Sequence, residues 1–242
     1  DLGLLSCDPV LGDDLTELFN YLTTGYAPIR KYKKILPCPN LLKKALLDKI
    51  DREIEQHGKS GDGRIIFKCN ALEDKDTTRA LYRASQAGVK IDLIIRDSCR
   101  LRPEIKGLSD NVSVISIVGR FLEHSRIYYF RNNGEEEYYI GSADLMKRNL
   151  ESRVEVVTPV EDLNLQAQLQ KVLEVQLENV RNCWEMDADG QYTQRIGKDD
   201  ENTRSVDALF IELAESRLSR TPGLKTKNQK KLKKKGKGRK RN

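Results

Sequence analysis

Residues 64–95 constrain the fold more than any other segment, because they switch from one hydrophobic period to another and back. Residues 64–69 (RIIFKC) read as a strand, 75–87 as a helix closed by Gly88, and 89–95 (VKIDLII) as a buried strand. Strand, helix and strand joined by short links are the signature of a parallel α/β unit. Residues 112–118 (VSVISIV) add a strand. Residues 126–131 (RIYYFR) and 136–141 (EEYYIG) then flank Asn132-Asn133-Gly134, a hairpin signal, since Asn-Gly suits turns that need positive φ. Residues 153–158 (RVEVVT) make one more strand.

Helical patterns lie around this unit. Residues 13–23 place Leu15, Leu18, Phe19 and Leu22 at helical spacing, and Pro28, Pro37 and Pro39 punctuate the connection that follows. Asn40 is a candidate cap for the amphipathic run LLKKALLDKIDREIEQHG, which Gly58 is expected to stop. Residues 161–182 read as a helix, followed by an irregular Gly/Asp/Gln stretch and a helix over roughly 203–217. After Pro222-Gly223 the chain is Lys-rich and poor in apolar residues, so it is expected to remain disordered.

Composition narrows the function classes. No run approaches the ~18 apolar residues of a membrane span, and no signal-peptide pattern is visible, so a cytoplasmic location, with peripheral membrane contact as a variant, is the expectation. The chain opens on Asp1 rather than Met, and is read as part of something longer. Cys7, Cys38, Cys69, Cys99 and Cys183 are odd in number, widely spaced and free of any CxxC, which argues for free thiols rather than a zinc site or disulfide framework. The net charge of +6 resides in the tail. Residues 225–242 hold eleven Lys or Arg and no acid, leaving 32 basic against 37 acidic residues, a net of −5, in 1–224. The tail has two readings, a tether for polyphosphate or nucleic acid acting by counterion release, or a solvated terminus without a partner. It has no aromatic residue for stacking on single strands.

There are two histidines. His57 ends a polar helix and reads as a solvated residue favoured by the helix dipole. His124 lies between two strands in 119–126 (GRFLEHSR), beside Arg120, Glu123 and Arg126. One reading is a loop histidine with surface ion pairs. The other is phosphate chemistry, since imidazole can act as nucleophile or acid/base near neutral pH and guanidinium forks bind phosphate oxygens. Gly141-Ser142-Ala143-Asp144 closes the hairpin, a turn small enough to let amides and a hydroxyl approach an anion. His-x-Arg followed by Gly-Ser-x-Asp resembles the phospholipase-D-like pattern His-x-Lys…Gly-Ser-x-Asn, in which two such motifs make one site. Arg126 stands where lysine is usual, and Arg131 where that pattern has aspartate.

A longer resemblance accounts for these departures. Residues 85–121 (SQAGVKIDLIIRDSCRLRPEIKGLSDNVSVISIVGRF) and the continuation LEHSRIYYFRNNGEEEYYIGSADLMKRNLESRVEVVTPV are similar to the C-terminal domain of the type 1 polyphosphate kinase family, a phospholipase-D-like variant whose second motif reads His-x-Arg. The opening DLGLLSCDPVLGDDLTELFNYLT and the segment RIIFKCNALED also match, so the resemblance covers roughly residues 1–197. Leu145 departs from the family's usual Trp, a change expected to alter packing rather than chemistry.

The resemblance implies an α/β fold of phospholipase-D-like sandwich type, with a mixed, mainly parallel sheet flanked by helices. It implies the end of a preceding domain in 1–33, the C-terminal domain in 34–197, a helical extension in 198–220 and the tail in 221–242. It implies reversible transfer of the ATP γ-phosphate to polyphosphate through a phosphohistidine, with Mg²⁺, in a homo-oligomer, the phosphorylated histidine and the Mg²⁺ ligands lying upstream of Asp1. His124 is then the catalytic histidine of this portion and a nucleotide contact, and Arg96, ending the VKIDLII strand, a nucleotide-phosphate contact. At that strand end, where open α/β sheets bind ligands, Arg96 and Arg126 are expected to hold phosphate oxygens and Ser142 to assist. Lys68 and Asn70 share a strand face and either reach the same cleft or are a snorkelling lysine and a turn asparagine. Arg148 and Arg153 line a polyanion path or pair with Glu151 and Glu155. The competing functions are a phospholipase-D-like phosphodiesterase and a polyanion- or RNA-binding module. His-x-Arg and the segment around Arg96 favour the kinase, and the acidic body counts against the binding module.

Overall fold

A computed structural model of the chain describes residues 1–25, 31–39, 41–178, 181–195 and 204–220. Its strands are β1 (Leu36–Pro37), β2 (Arg64–Cys69), β3 (Lys90–Ile95), β4 (Val112–Ile117), β5 (Arg126–Phe130), β6 (Glu137–Gly141), β7 (Val156–Pro159), β8 (Cys183–Met186) and β9 (Tyr192–Gln194). Its helices are α1 (Pro9–Thr24), α2 (Leu42–Ser60), α3 (Lys75–Gln86), α4 (Lys147–Glu151), α5 (Leu163–Leu177) and α6 (Val206–Arg220). Among the described residues the nine strands join one sheet in the order β1-β7-β6-β5-β2-β3-β4-β8-β9.

The two-residue period of a strand sorts the core into two layers. Ile65, Phe67 and Cys69 of β2 pack with Leu42, Leu46 and Ile50 of α2 and Ala80, Leu81 and Ala84 of α3. The Phe67 ring meets Tyr128 and Phe130 edge-on at centroid distances of 5.2 and 5.5 Å, contacts worth about 1 kcal/mol each beyond their buried area. Ile66, Ile94, Ile115 and Ile127 turn to the other face, against Leu169 and Leu173 of α5. Lys68 has the parity of Ile66, and so points to the α5 side.

The sheet is mixed, as expected, but not mainly parallel. Only β2–β3 and β3–β4 run parallel, and the other six pairings are antiparallel. The reason is topological. A single strand–helix–strand crossover lies at the centre, whereas the hairpin β5–β6 is antiparallel by construction and docks on β2 in the same sense. The stretch after α5, read as irregular, holds the hairpin β8–β9, which extends the sheet from β4. Of β8's side chains only Cys183 and Met186 are buried, too little for a strand period to show.

Two local expectations change. The second helix runs through Gly58 and ends at Gly61, whose φ of 75° and N–H bond to the His57 carbonyl form the cap. His57 is accordingly half-buried, and its Nδ1 accepts the Gly63 N–H at 3.0 Å. Asn40, the expected cap, lies outside the described residues, as does the tail 221–242. The Asn-Asn-Gly turn appears as anticipated, with φ of 47°, 54° and 91° at residues 132–134.

Helix α1 begins on Pro9, with the Asp8 carboxylate accepting the Val10 and Leu11 amides. Its buried Asp14 accepts the N–H groups of Lys33, Lys34 and Ile35 at 2.6–3.0 Å. Burial raises the Asp14 pKa, but these amides outweigh it and hold the carboxyl below its ordinary value. Leu11 and Leu18 close over Ile35 at the β1–β7 end of the sheet.

The registers Lys68↔Ile127, Arg126↔Gly141 and Gly141↔Val157 bring the end of β2, the start of β5, the end of β6 and the start of β7 to one sheet edge. Gly141 is required there by crowding. A Cβ at this position would lie 2.3 Å from the Val156 carbonyl oxygen and 2.8 Å from the Val157 Cα, and backbone cannot swing aside. We expect Gly141→Ala to destabilise the protein by about 1–3 kcal/mol, read as a lowered Tm in thermal unfolding. An unchanged Tm would mean that β7 can retreat freely from β6.

Candidate functional site

At this edge an open cavity of about 430 Å³ is lined by His124, Ser125, Arg126, Ser142 and Thr158, with residues 1–4 along one wall. His124 occupies the loop between β4 and β5, and its side chain is exposed. Its main chain is held on both sides. The N–H donates to the Asp1 carboxylate at 2.6 Å, and the carbonyl accepts from Arg126 Nη1 at 2.5 Å. The backbone is thus pinned while the imidazole is left to the cavity.

Arg126, the first residue of β5, forms a fork with Asp144, Nε to Oδ1 at 3.2 Å and Nη2 to Oδ2 at 2.8 Å. The same carboxylate accepts the Asn70 amide at 2.7 Å and the Asn70 side-chain Nδ2 at 3.3 Å. Burial alone would raise the Asp144 pKa, but Arg126 and Asn70 overcome it and hold the carboxyl below the usual range. Arg126 therefore reaches the cavity with its charge already met, and three of its five N–H groups are in use. Asn70 is drawn into this junction beneath the cavity wall instead of lining the cleft.

Lys68 is likewise buried. Its ammonium donates to the Ser125 carbonyl at 3.1 Å and lies 3.1 Å from Glu123 Oε1. Burial lowers the Lys68 pKa despite Glu123. Burial raises that of Glu123, but Lys68 and the Ser125 hydroxyl bring it below its ordinary value. Arg96 is half-buried at the end of β3 and donates from Nη1 to the Glu123 carbonyl at 2.5 Å, one residue from His124, without lining the cavity. Ser142 is exposed. Its amide donates to the Val156 carbonyl at 3.0 Å and its hydroxyl accepts the Val156 N–H at 3.2 Å, so the hydroxyl proton is what it can offer an anion.

The structure thus gathers His124, Arg126 and Ser142 around one cavity, sets Arg96 one residue away, and uses Lys68 and Asn70 as supports. Arg153 is exposed, does not line the cavity, and has Nη1 3.8 Å from Glu155. Arg131 follows the far end of β5 and pairs with Glu136 and Asp62, away from this edge. Leu145 is fully buried in the core. Sequence reasoning noticed Asp144 and Glu123 only as neighbours in motifs. Their signal was a carboxylate three residues past Gly141 and one before His124, but their partners Asn70, Lys68 and Gln176 are remote in sequence. Among the described residues no group of three or more His, Cys, Asp or Glu side chains is placed to hold a metal ion, and no helix is long and apolar enough to cross a membrane.

Comparison with known proteins adds a second line of observation. The family described as polyphosphate kinase C-terminal domain 2 matches residues 35–206. A polyphosphate kinase of Synechocystis is 48% identical over 226 residues, 93% of this chain and 31% of that protein. One from Thermosynechococcus vestitus is 55% identical over 210 residues, 85% of this chain and 28% of that protein. The crystal structure of polyphosphate kinase from Porphyromonas gingivalis superposes with a TM-score of 0.82 at 35% identity, over 89% of this chain and 33% of that one. The chain thus spans about a third of the length of these relatives.

The Arg126–Asp144 pair is mostly buried, with side-chain exposures of 17% and 11%. Asp144→Ala should cost about 3 kcal/mol, the low end for a broken buried pair, because an uncompensated guanidinium remains. Acid titration reads the same group. A lowered carboxyl contributes stability that is full above the ordinary Asp value and is lost as pH falls through the native one, so the variant should lose part of the wild-type stability decline in acid. Calorimetry across pH checks both, and matching wild-type and variant curves would refute the role given to Asp144.

Proposed function

This chain belongs to the polyphosphate kinase family, as that family's C-terminal domain 2, and from that premise we propose that it supplies one part of the active site of an ATP–polyphosphate phosphotransferase. The observation that carries the reading is the cavity at the sheet edge, where an exposed histidine sits on a backbone whose carbonyls at 123 and 124 are held by the guanidinium groups of Arg96 and Arg126. Phosphoryl transfer asks a protein chiefly for positioning and for charge opposite the transferring oxygens.

His124 presents its ring to the phosphoryl group in flight, as proton donor or hydrogen-bond partner. Arg96 provides the phosphate contact, with donors beyond the one held by the Glu123 carbonyl. Arg126 contributes its remaining N–H groups, and Ser142 its hydroxyl proton. ATP and polyphosphate are the substrates in this reading. Residues upstream, in the part of the relatives that this chain does not span, carry the phosphorylated histidine and the Mg²⁺ ligands. The donor set described above does not fit such an ion, and no step proposed for this chain runs through one.

Two measurements test the proposal. In the complete enzyme, His124→Ala is expected to slow ATP-dependent polyphosphate synthesis by about 10²–10⁴-fold, the scale of a lost acid/base group, and wild-type rates would remove His124 from the mechanism. Residues 1–242 alone should make no polyphosphate from ATP and Mg²⁺, and measurable synthesis would overturn the partial-site picture.

A further inference from the structure

Beneath His124 lies a group of charges that the proposed chemistry does not use. The Glu123 carboxylate meets Lys68 of β2 at 3.1 Å, the Ser125 hydroxyl at 2.5 Å and Gln176 Nε2 of α5 at 3.1 Å. Lys68 also holds the Ser125 carbonyl, and Arg96 holds the Glu123 carbonyl. Lys68 and Gln176 are 6% and 1% exposed. Residues 123 and 125 are therefore fastened to the central strand and to the helix behind the sheet, while residue 124 between them keeps an exposed ring.

An ion pair whose ammonium is buried and whose carboxylate is partly exposed is a costly way to stabilise a fold, and apolar residues of similar volume commonly serve as well or better. What it provides here is direction. A carboxylate with three partners and an ammonium with two set where both neighbours of His124 stand. Apolar packing in their place would hold the loop down without fixing its rotation.

We propose that Glu123 and Lys68, with Ser125 and Gln176, are positioning residues that fix the orientation of the His124 imidazole toward the cavity. This rests on the reading of His124 as the phosphoryl-handling residue. Holding a catalytic group in place acts mainly on kcat when most of the substrate's binding comes from other groups.

The test has an arm with activity and an arm without it. In the complete enzyme, Lys68→Met/Glu123→Gln removes both charges together, so Tm should stay close to wild type, while kcat falls roughly 10–100-fold and KM for ATP stays within about twofold. Ser125→Ala, a milder change that keeps the fold if the double variant loses it, should lower kcat several-fold at unchanged Tm. A purely structural pair predicts that kcat tracks Tm, and kcat at the wild-type level in both variants sinks the proposal. The second arm uses ¹³Cε1-histidine spectra of the 242-residue chain, which has only His57 and His124. The variants should shift or broaden the His124 line while the His57 line, at the opposite sheet edge, stays put as a reference. An unmoved His124 line overturns the positioning role. Absence of polyphosphate synthesis by the wild-type complete enzyme would instead defeat the functional reading, leaving the spectra to decide the proposal.

Discussion

The site depends on one carboxylate. Asp144 gathers the end of β2 through Asn70 and the start of β5 through Arg126, while its own main chain follows the end of β6. Without it, three strand ends would meet at the edge with their polar groups facing a cationic side chain in a poorly solvated place. Arg126 and Asn70 hold the Asp144 carboxyl below its usual range in spite of burial. The imidazole stands exposed above charges that are paired, Arg126 with Asp144 and Lys68 with Glu123.

The arginines at this edge are held in two different ways. A guanidinium whose charge is met by a carboxylate is a good beam and a modest anion ligand, and Arg126 is of that kind. Arg96 bonds a neutral carbonyl, and among the described residues no carboxylate is paired with its guanidinium. Two arginines that look equivalent in the sequence thus differ in the structure, one paired with a carboxylate and the other with a carbonyl. The difference comes from Asp144, eighteen residues from one and brought close by the β5–β6 register.

Much of the fold was legible in residue order. The period switch over 64–95 gave the central crossover, and Asn132-Asn133-Gly134 gave the hairpin, because both depend on neighbours in sequence. Sheet polarity was not legible, since the pairing of β5 with β2 joins residues some sixty positions apart. The edge hairpin β8–β9 escaped for lack of buried alternation. At the cavity, the proximity of His124, Arg126 and Ser142 was legible because one motif pattern holds them together. The burial of Lys68 under Glu123 was not, because the sequence reports the strand parity that directs Lys68 but not the loop that covers it. Gly141 looked like a concession to an anion, and its freedom is taken up by the carbonyl of Val156.

The Asp14 carboxylate, which collects three consecutive amides ahead of β1, has a mechanical consequence. Three donors converging on one carboxylate tie residues 33–35 directly to α1, so the two are joined as one lever. That lever continues into Leu36 and Pro37, which lie against Val157 and Val156, and those residues abut Gly141 and Ser142. A continuous run of hydrogen bonds and strand pairings thus joins the helix to the rim beside the imidazole.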